Sequence, residues 1–298
     1  MTVAPARLPL PGGEEGATIV LYPLMCADVA MPEAWIHGES GVRGALRAVG
    51  VGVPCSDRLR APIVAFLLEH PAAGAVLVDT GFRSDVATAK TRALGRVNAL
   101  VFRDVRMRAE GTIAAQLPAR GIRPEDVRLI VMTHLHVDHA GALRDFPNAT
   151  VLVSDAEWQA AHARTAAMAG YHRPQLDSTL DYRLVRFPTP PAAGGDRFDE
   201  VLDVFGDASL RLLFTPGHTA GHLSVIVRLR DRDALLAGDA VYSLATLREG
   251  KRPYRAVDRA AFEESVRVLG AYDREHPDAL VIPGHDMEAW AALEDRYA

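Results

Sequence analysis

The sequence is poor in several features that would place it in a specialised class of protein. It has only two cysteines, Cys26 and Cys55, which could pair but are too few for a disulfide framework and would stay reduced in the cytosol. Lysine and arginine (33) do not outnumber aspartate and glutamate (38), and the net charge of -5 offers nucleic acid no basic surface. No hydrophobic run approaches the roughly 18 residues that a membrane-spanning helix needs. We therefore expect neither nucleic acid nor membrane as a partner.

Composition also sets the expected domain organisation. Residues 1–16 are rich in proline and glycine and lack a basic segment that leads into an apolar stretch. We therefore expect a flexible tail there, no secretion signal, and a cytoplasmic location. Residues 17–298 are predicted to form a single domain, because no linker, repeat or low-complexity block divides them. Hydrophobic residues make up 49% of the chain, enough to bury a sizeable core.

Apolar runs that end in polar turns recur along the chain and predict buried strands. Four of these turns carry a potential metal ligand or a group of them, and patterns typical of helices lie between the runs. The four runs are Val127–Met132, Leu210–Phe214, Ala234–Ala237 and Ala279–Ile282. Strands that alternate with helices, with ligands at the strand ends, predict an α/β architecture whose site lies along one edge.

The turn after the first of these runs holds the strongest signal, three histidines and one aspartate within residues 134–139. In an extended backbone His134, His136 and Asp138 would point one way and His139 another. This pattern suits two neighbouring ions, with His134 and His136 on the first and Asp138 and His139 on the second. Imidazole and carboxylate ligands favour borderline metals, zinc first. A run of surface histidines is the alternative, which this spacing after a strand disfavours.

Together with an aspartate after an earlier strand and three later ligands, the motif resembles that of the metallo-β-lactamase-fold hydrolases. The family fold is an αββα sandwich, and the resemblance covers nearly the whole chain from Ala17 onward. It implies two divalent metals, with zinc expected first and iron, manganese or cobalt also suitable. The implied ligands are His134, His136 and His218 for the first metal, Asp138, His139 and His285 for the second, and Asp239 as the bridge. Asp79 is expected to contact a ligand instead of a metal, or to form only a turn.

Within this superfamily the chain looks most like the N-acyl homoserine lactone lactonases. The segment Gly238–Tyr242 places a tyrosine three residues beyond Asp239, where those enzymes use one to contact substrate. The bridging Asp239 argues against the true zinc β-lactamases, which lack it. His136 replaces an acidic residue of the oxygen-reducing diiron members and favours hydrolysis. For Tyr242 the alternative is a buried aromatic residue after a strand.

The resemblance implies a metal-dependent hydrolase that opens a lactone ring with a metal-bridging hydroxide, and so quenches quorum sensing. Tyr242 would donate a hydrogen bond to the carbonyl oxygen, and Asp138 would carry a proton to the leaving oxygen. The substrate would be a small lactone or ester with an apolar chain, and a homodimer is a further candidate assembly. The candidates for an apolar groove, each of which could instead be core, are Met25, Trp35, Phe82, Phe102 and Met107. His222 is expected to support the site instead of binding metal.

Two alternatives stay open at this stage. The first is a metallo-hydrolase of another ester, a thioester or a β-lactam, which would use the same chemistry. The second is a non-enzymatic metal-binding protein on the same scaffold. The complete set of implied ligands disfavours the second alternative.

Overall fold

Strands rich in valine, leucine and isoleucine build two sheets in the computed structural model, which describes residues 2–176, 179–187 and 201–298. The strands are β1 (Thr2–Pro5), β2 (Val20–Pro32), β3 (Arg58–His70), β4 (Gly74–Val78), β5 (Val105–Met107), β6 (Leu129–Val131), β7 (Thr150–Ser154), β8 (Asp181–Val185), β9 (Leu202–Asp203), β10 (Leu210–Phe214), β11 (Leu223–Arg228), β12 (Asp233–Gly238) and β13 (Leu280–Pro283). The first sheet has the order β1-β8-β7-β6-β4-β3-β2-β5, and the second has the order β13-β12-β11-β10-β9.

The helices among the described residues are mostly short and lie between the strands. They are α1 (Glu33–His37), α2 (Gly41–Ala48), α3 (Val86–Val101), α4 (Ile113–Gln116), α5 (Val137–Ala140), α6 (Asp155–His162), α7 (Arg173–Leu176), α8 (Leu244–Arg248), α9 (Arg259–Glu275) and α10 (Met287–Ala291). The sequence predicts the start of α9 correctly, because the Asp258 side chain accepts a hydrogen bond from Ala261 N at 3.0 Å. No helix in the described ranges is long and apolar enough to cross a membrane.

Both faces of each sheet are buried, so the two sheets lie between two layers of helices in the order αββα. One cluster of buried residues fills the space between the sheets and includes Val131 of β6 and Val225 of β11. A second joins the outer face of the first sheet to helices, with Leu94 of α3 and Ala161 of α6 among its members. A third packs α9 against the outer face of the second sheet through Leu269. The predicted fold class is therefore confirmed.

Strand direction brings the ligand-bearing turns to one edge. β4 and β6 are parallel neighbours, so the residues after Val78 and Val131 emerge side by side. In the second sheet β12 and β13 are parallel, and β10 has the same direction because β11 runs antiparallel to both β10 and β12. The carboxyl ends of these five strands carry the predicted site.

The N-terminal segment differs from the sequence-based expectation. Residues 1–16 were expected to be a flexible tail, but Thr2–Pro5 forms an edge strand that pairs in parallel with Asp181–Val185. Leu10 N then donates a hydrogen bond of 2.7 Å to Val204 O. The proline-rich composition argued against a strand here. Proline is nevertheless tolerated in an edge strand, because only one side of such a strand is hydrogen-bonded.

Candidate metal centre

The described structure brings together all seven side chains that the sequence nominates as ligands. Three groups emerge in which one ligand atom from each residue lies within 4.8 Å of the others. These groups are His134, His136 and His218, then His134, His139 and Asp239, and finally Asp138, His139 and His285. The groups overlap, so they form one continuous centre. The assignment of each residue to a metal remains a prediction.

The backbone reaches this arrangement by a route that the sequence did not indicate. The expected extended run ends at His136, which has φ -65° and ψ 159° and is the N-cap of α5. Asp138 and His139 therefore lie in one helical turn, not on alternating sides of a strand. A helix separates consecutive side chains by about 100°, so both can face the centre at different angles. The division of the motif between two metals remains a prediction.

Several ligand atoms have no hydrogen-bond partner among the described residues, although they are buried. They include His134 Nε2, His139 Nε2 and Asp239 Oδ1. Buried polar atoms are normally paired, because an unpaired one costs about 1–3 kcal/mol. Five histidines and two carboxylates are also more ligands than one tetrahedral zinc ion takes. The donor set therefore fits two divalent cations.

Asp239 lies between the two ends of the centre. Its Oδ2 is 3.2 Å from His218 Nε2, on the side of the three-histidine group. Its Oδ1 is 3.2 Å from His285 Nε2 and 3.3 Å from His139 Nε2, on the opposite side. One carboxylate oxygen thus faces each group, which is the geometry that a bridging ligand requires.

Asp79 contacts His139 on the side of the imidazole ring that faces away from the centre. Its Oδ2 lies 2.7 Å from His139 Nδ1, and its Oδ1 accepts a hydrogen bond of 2.8 Å from Thr133 N. Asp79 has φ 59°, a left-handed conformation in which aspartate and asparagine are more common than most residues. The carboxylate places the imidazole proton on Nδ1 and leaves Nε2 free to face the centre.

His222 supports Asp239 in the same manner. Its Nε2 accepts a hydrogen bond of 2.9 Å from Asp239 N, and its Nδ1 lies 2.9 Å from Thr215 Oγ1. A Cβ at Gly238 would lie 2.7 Å from His222 Nε2, and Gly238 also has φ +54°. Only glycine therefore allows the turn that brings Asp239 into the centre. The structure places His222 among these supporting contacts, outside the three ligand groups.

The electrostatics differ between the two ends. Burial lowers the pKa of His134 and His218 well below the ordinary value, and burial lowers that of His136 to about 4. These three imidazoles are neutral at pH 7 and ready to bind a cation. For His139 burial is opposed by three carboxylates, with Asp79 the strongest, and the pKa rises well above the ordinary value. Cation binding at that end must therefore displace a proton.

A pocket that is partly open to solvent leads from the surface to the ligands. His136, Asp138, His218, Asp239 and His285 lie at its base. Its walls are mostly apolar and come from distant parts of the chain, namely Val29, Met31, Trp35, Ile36, Ala61, Val97, Val101, Phe102, Met168, Ala169, Ala256 and Val257, with Asn98 and Arg255 as polar exceptions. The pocket therefore suits an apolar chain attached to a polar group.

Tyr242 lies where the apolar walls meet the ligands. Its hydroxyl is 3.4 Å from His218 Nδ1, and its ring centroid is 5.2 Å from that of His285. Burial, with the nearby carboxylates of Asp239 and Asp138, raises the pKa of this phenol well above its ordinary value. The hydroxyl keeps its proton at neutral pH and can donate it in a hydrogen bond.

Comparison with known proteins agrees with this architecture. Residues 59–285 match the family model of the metallo-beta-lactamase superfamily. The chain belongs to the metallo-β-lactamase superfamily. The predicted family is thus confirmed.

Individual relatives are similar over most of their length. The N-acyl homoserine lactonase AttM of Agrobacterium fabrum is 36% identical over 233 residues, which cover 77% of this chain and 84% of the relative. A probable metallo-hydrolase of Mycobacterium tuberculosis is 30% identical over 275 residues, which cover 85% and 81%. The solved structure of an N-acyl homoserine lactone hydrolase with N-hexanoyl-L-homoserine at its catalytic metal center has a TM-score of 0.70 at 22% identity, with 96% and 98% coverage.

The apolar groove was predicted only in part. Trp35 and Phe102 line the pocket as expected. Phe82 is instead fully buried core, and Met25 and Met107 lie outside the pocket. The periodicity of a sequence indicates which side of a helix or strand is apolar. It does not indicate which sheet face or loop packs against that side.

Sequence reasoning missed one carboxylate altogether. Glu157 is completely buried beside the ligand-bearing turns. The spacing Ser154-Asp155-Ala156-Glu157 is that of a capping box and could have drawn attention to it as a helix start. Nothing local shows where its side chain points.

Proposed function

We propose that this protein is a metal-dependent lactonase that opens the ring of N-acyl homoserine lactones and thereby quenches quorum sensing. The placement of Tyr242 carries the proposal, because a protonated hydroxyl stands between an apolar pocket and the ligand cluster. The names of the curated relatives support the same activity. The complete ligand set argues against a non-enzymatic protein on this scaffold.

The pocket orients the substrate by polarity. The acyl chain packs against Trp35, Val101 and Phe102, and the lactone ring then lies over the ligand cluster. Each buried methylene group contributes about 0.8 kcal/mol, so the chain supplies binding energy that holds the ring in place.

The residues at the base of the pocket handle the charges that ring opening creates. Two divalent cations at this site would lower the pKa of bound water from about 15.7 toward about 7 and so provide a nucleophile at neutral pH. Tyr242 donates a hydrogen bond to the carbonyl oxygen as negative charge develops there. Asp138, whose side chain is only 7% exposed and which also lines the pocket, takes the proton that the attacking water loses. It passes this proton to the ring oxygen as the new C–O bond forms and the acyl C–O bond of the ring breaks. The products are a carboxylate and an alcohol in one molecule.

Zinc is the metal we propose, because imidazole and carboxylate donors suit it. Iron, manganese or cobalt would fit the same donors. The cytoplasmic location and the homodimer remain predictions from the sequence.

A substrate panel measured alongside metal content tests the proposal. The purified protein is assayed with N-acyl homoserine lactones of several chain lengths, a thioester and a β-lactam, and the metal in the same sample is quantified. We expect about two metal ions per chain and the highest kcat/KM for the lactones. Preference for the thioester or the β-lactam would move the proposal to the alternative hydrolase, and no turnover of any substrate by metal-loaded protein would contradict an enzymatic function.

A further inference from the structure

We infer that Glu157 is a positioning residue that holds the three-histidine half of the metal centre together. In this proposal the carboxylate contacts neither a metal ion nor the substrate. It instead fixes the backbone of the two turns that carry His134, His136 and His218. The inference rests on the proposed metal dependence, but not on the identity of the substrate.

Glu157 joins two turns that are far apart in the sequence. Its Oε1 accepts a hydrogen bond of 2.9 Å from Leu135 N, the residue between His134 and His136. Its Oε2 accepts a hydrogen bond of 3.2 Å from Gly221 N, three residues after His218. One rigid carboxylate therefore sets the distance between the two turns.

Two hydroxyl groups complete the surroundings of the carboxylate. Thr219 and Tyr171 lie close enough to Glu157 to favour its charged form, although burial is the largest effect and raises its pKa. Tyr171 also contacts the third histidine directly, since its ring centroid is 4.9 Å from that of His136. The backbones of His136 and Tyr171 form an isolated β-bridge as well. Glu157 is thus linked to the turns that carry all three histidines, through Leu135, Gly221 and Tyr171.

The approach of the backbone around Glu157 is unusually close. A Cβ at Gly221 would lie only 2.0 Å from Glu157 N, so no other residue fits there without movement of the turn. Ser154 Oγ accepts a hydrogen bond of 3.3 Å from Glu157 N, which satisfies the start of α6. In a capping box the glutamate would return to the N-cap backbone. Here that side chain is directed to the two ligand turns.

The other half of the centre is held by different groups. His139 is oriented by Asp79, and His285 Nδ1 lies 3.0 Å from Pro62 O. Among the described contacts, none joins Glu157 to His139, Asp138 or His285. Loss of the Glu157 carboxylate should therefore weaken metal binding at one half and spare the other.

Glu157→Gln is the direct test, because glutamine has the same shape but must place an NH₂ group against the N–H of Leu135 or Gly221. The probe is Zn²⁺ alone, with a chromophoric chelator as competitor, so no substrate is needed. The substitution is made in His285→Ala protein, which keeps the three-histidine group, and in His218→Ala protein, which keeps the other group. We expect affinity to fall about 10- to 100-fold in the first background and less than about twofold in the second, within normal scatter for unconnected sites.

Asp203→Asn is the matched control. Asp203 Oδ1 also accepts hydrogen bonds from backbone N–H groups, at 3.1 Å from Phe205 and 2.8 Å from Gly206, but it pairs with the start of β10, away from His218. It should leave Zn²⁺ affinity unchanged in both backgrounds. Unchanged affinity in Glu157→Gln, or equal loss in both backgrounds, would overturn the inference.

A second variant guards against misfolding. If Glu157→Gln does not fold, Glu157→Asp keeps the charge but is one methylene too short to reach both turns, and the same selective loss is expected. Wild-type affinity in Glu157→Asp would then overturn the inference. Wild-type protein that binds two Zn²⁺ ions but opens no lactone would refute the proposed function and leave this test in force.

Discussion

Asp79 Oδ2 lies 2.7 Å from His139 Nδ1, and this contact decides which nitrogen of the histidine faces the metal centre. The carboxylate accepts a hydrogen bond from His139 Nδ1–H, which keeps the proton on that nitrogen. His139 Nε2 has no hydrogen-bond partner among the described residues and lies 3.3 Å from Asp239 Oδ1. Asp79 supplies none of the predicted ligand atoms, but it orients His139 so that Nε2 faces the centre.

Asp79→Asn tests this relationship. The asparagine can keep the left-handed backbone and the bond to Thr133 N, but its NH₂ group would donate to His139 Nδ1 and shift the proton to Nε2. We expect metal affinity to fall about 10- to 100-fold, measured by chelator competition. Asp203→Asn is again the control, since Asp203 also accepts hydrogen bonds from backbone N–H groups but lies outside the three ligand groups. Equal affinity for Asp79→Asn and wild type would contradict the assignment.

Asp239→Ala removes the carboxylate whose two oxygens face opposite groups of ligands. We expect loss of activity and weaker binding at both halves, as judged by metal analysis after gel filtration. His285→Ala should instead lower occupancy mainly at one half. Two tightly bound ions in Asp239→Ala would show that Asp239 does not bridge.

Tyr242→Phe keeps the ring and its packing against His218 and His285 but removes one hydrogen-bond donor. A lost oxyanion donor can cost about 10²–10³ in kcat. Because cations share the charge here, we expect roughly a tenfold loss in kcat for lactones. KM should change less, since the bond strengthens in the transition state. A wild-type rate with unchanged metal content would make Tyr242 a packing residue.

Trp35→Ala should change chain-length preference. Trp35 lines the pocket, so its loss removes apolar contact with the far part of a long acyl chain. At about 0.8 kcal/mol per methylene, kcat/KM for long-chain lactones should fall several-fold more than for short-chain ones. Met25→Ala is the control, because Met25 lies outside the pocket and is 36% exposed. A uniform loss at every chain length would argue against a groove at Trp35.

His70 predicts a pH dependence of stability away from the metal centre. Its Nδ1 accepts hydrogen bonds from Ala72 N at 3.2 Å and Ala73 N at 3.0 Å, and burial lowers its pKa below 6.5. As the pH falls, His70 therefore binds a proton in the unfolded chain at a higher pH than in the folded chain. The stabilisation that neutral His70 gives the folded state is complete above about pH 6.5 and is lost below it. The free energy of unfolding should drop more between pH 7.5 and 5.5 for wild type than for His70→Gln. Both proteins are measured with a metal chelator present, so that metal binding does not contribute to the pH dependence. Parallel pH profiles would contradict this account.

The sequence alone determined the kind of chemistry and much of the fold. Histidines and carboxylates after apolar runs indicate ligands at strand ends, because side-chain identity and strand periodicity are local properties. The cap at Asp258 and the helix that follows are local in the same sense. These features could be predicted without knowing what lies opposite them in space.

Only the tertiary structure decided the features that depend on distant neighbours. Asp138 and His139 lie in a helical turn, Thr2–Pro5 pairs with β8, and the pocket wall combines Trp35, Val101 and Val257. Glu157 is the clearest case, since its carboxylate meets Leu135 and Gly221, 22 and 64 residues away. No local pattern encodes such a contact, because a buried carboxylate is stable only where folding delivers N–H donors from other segments.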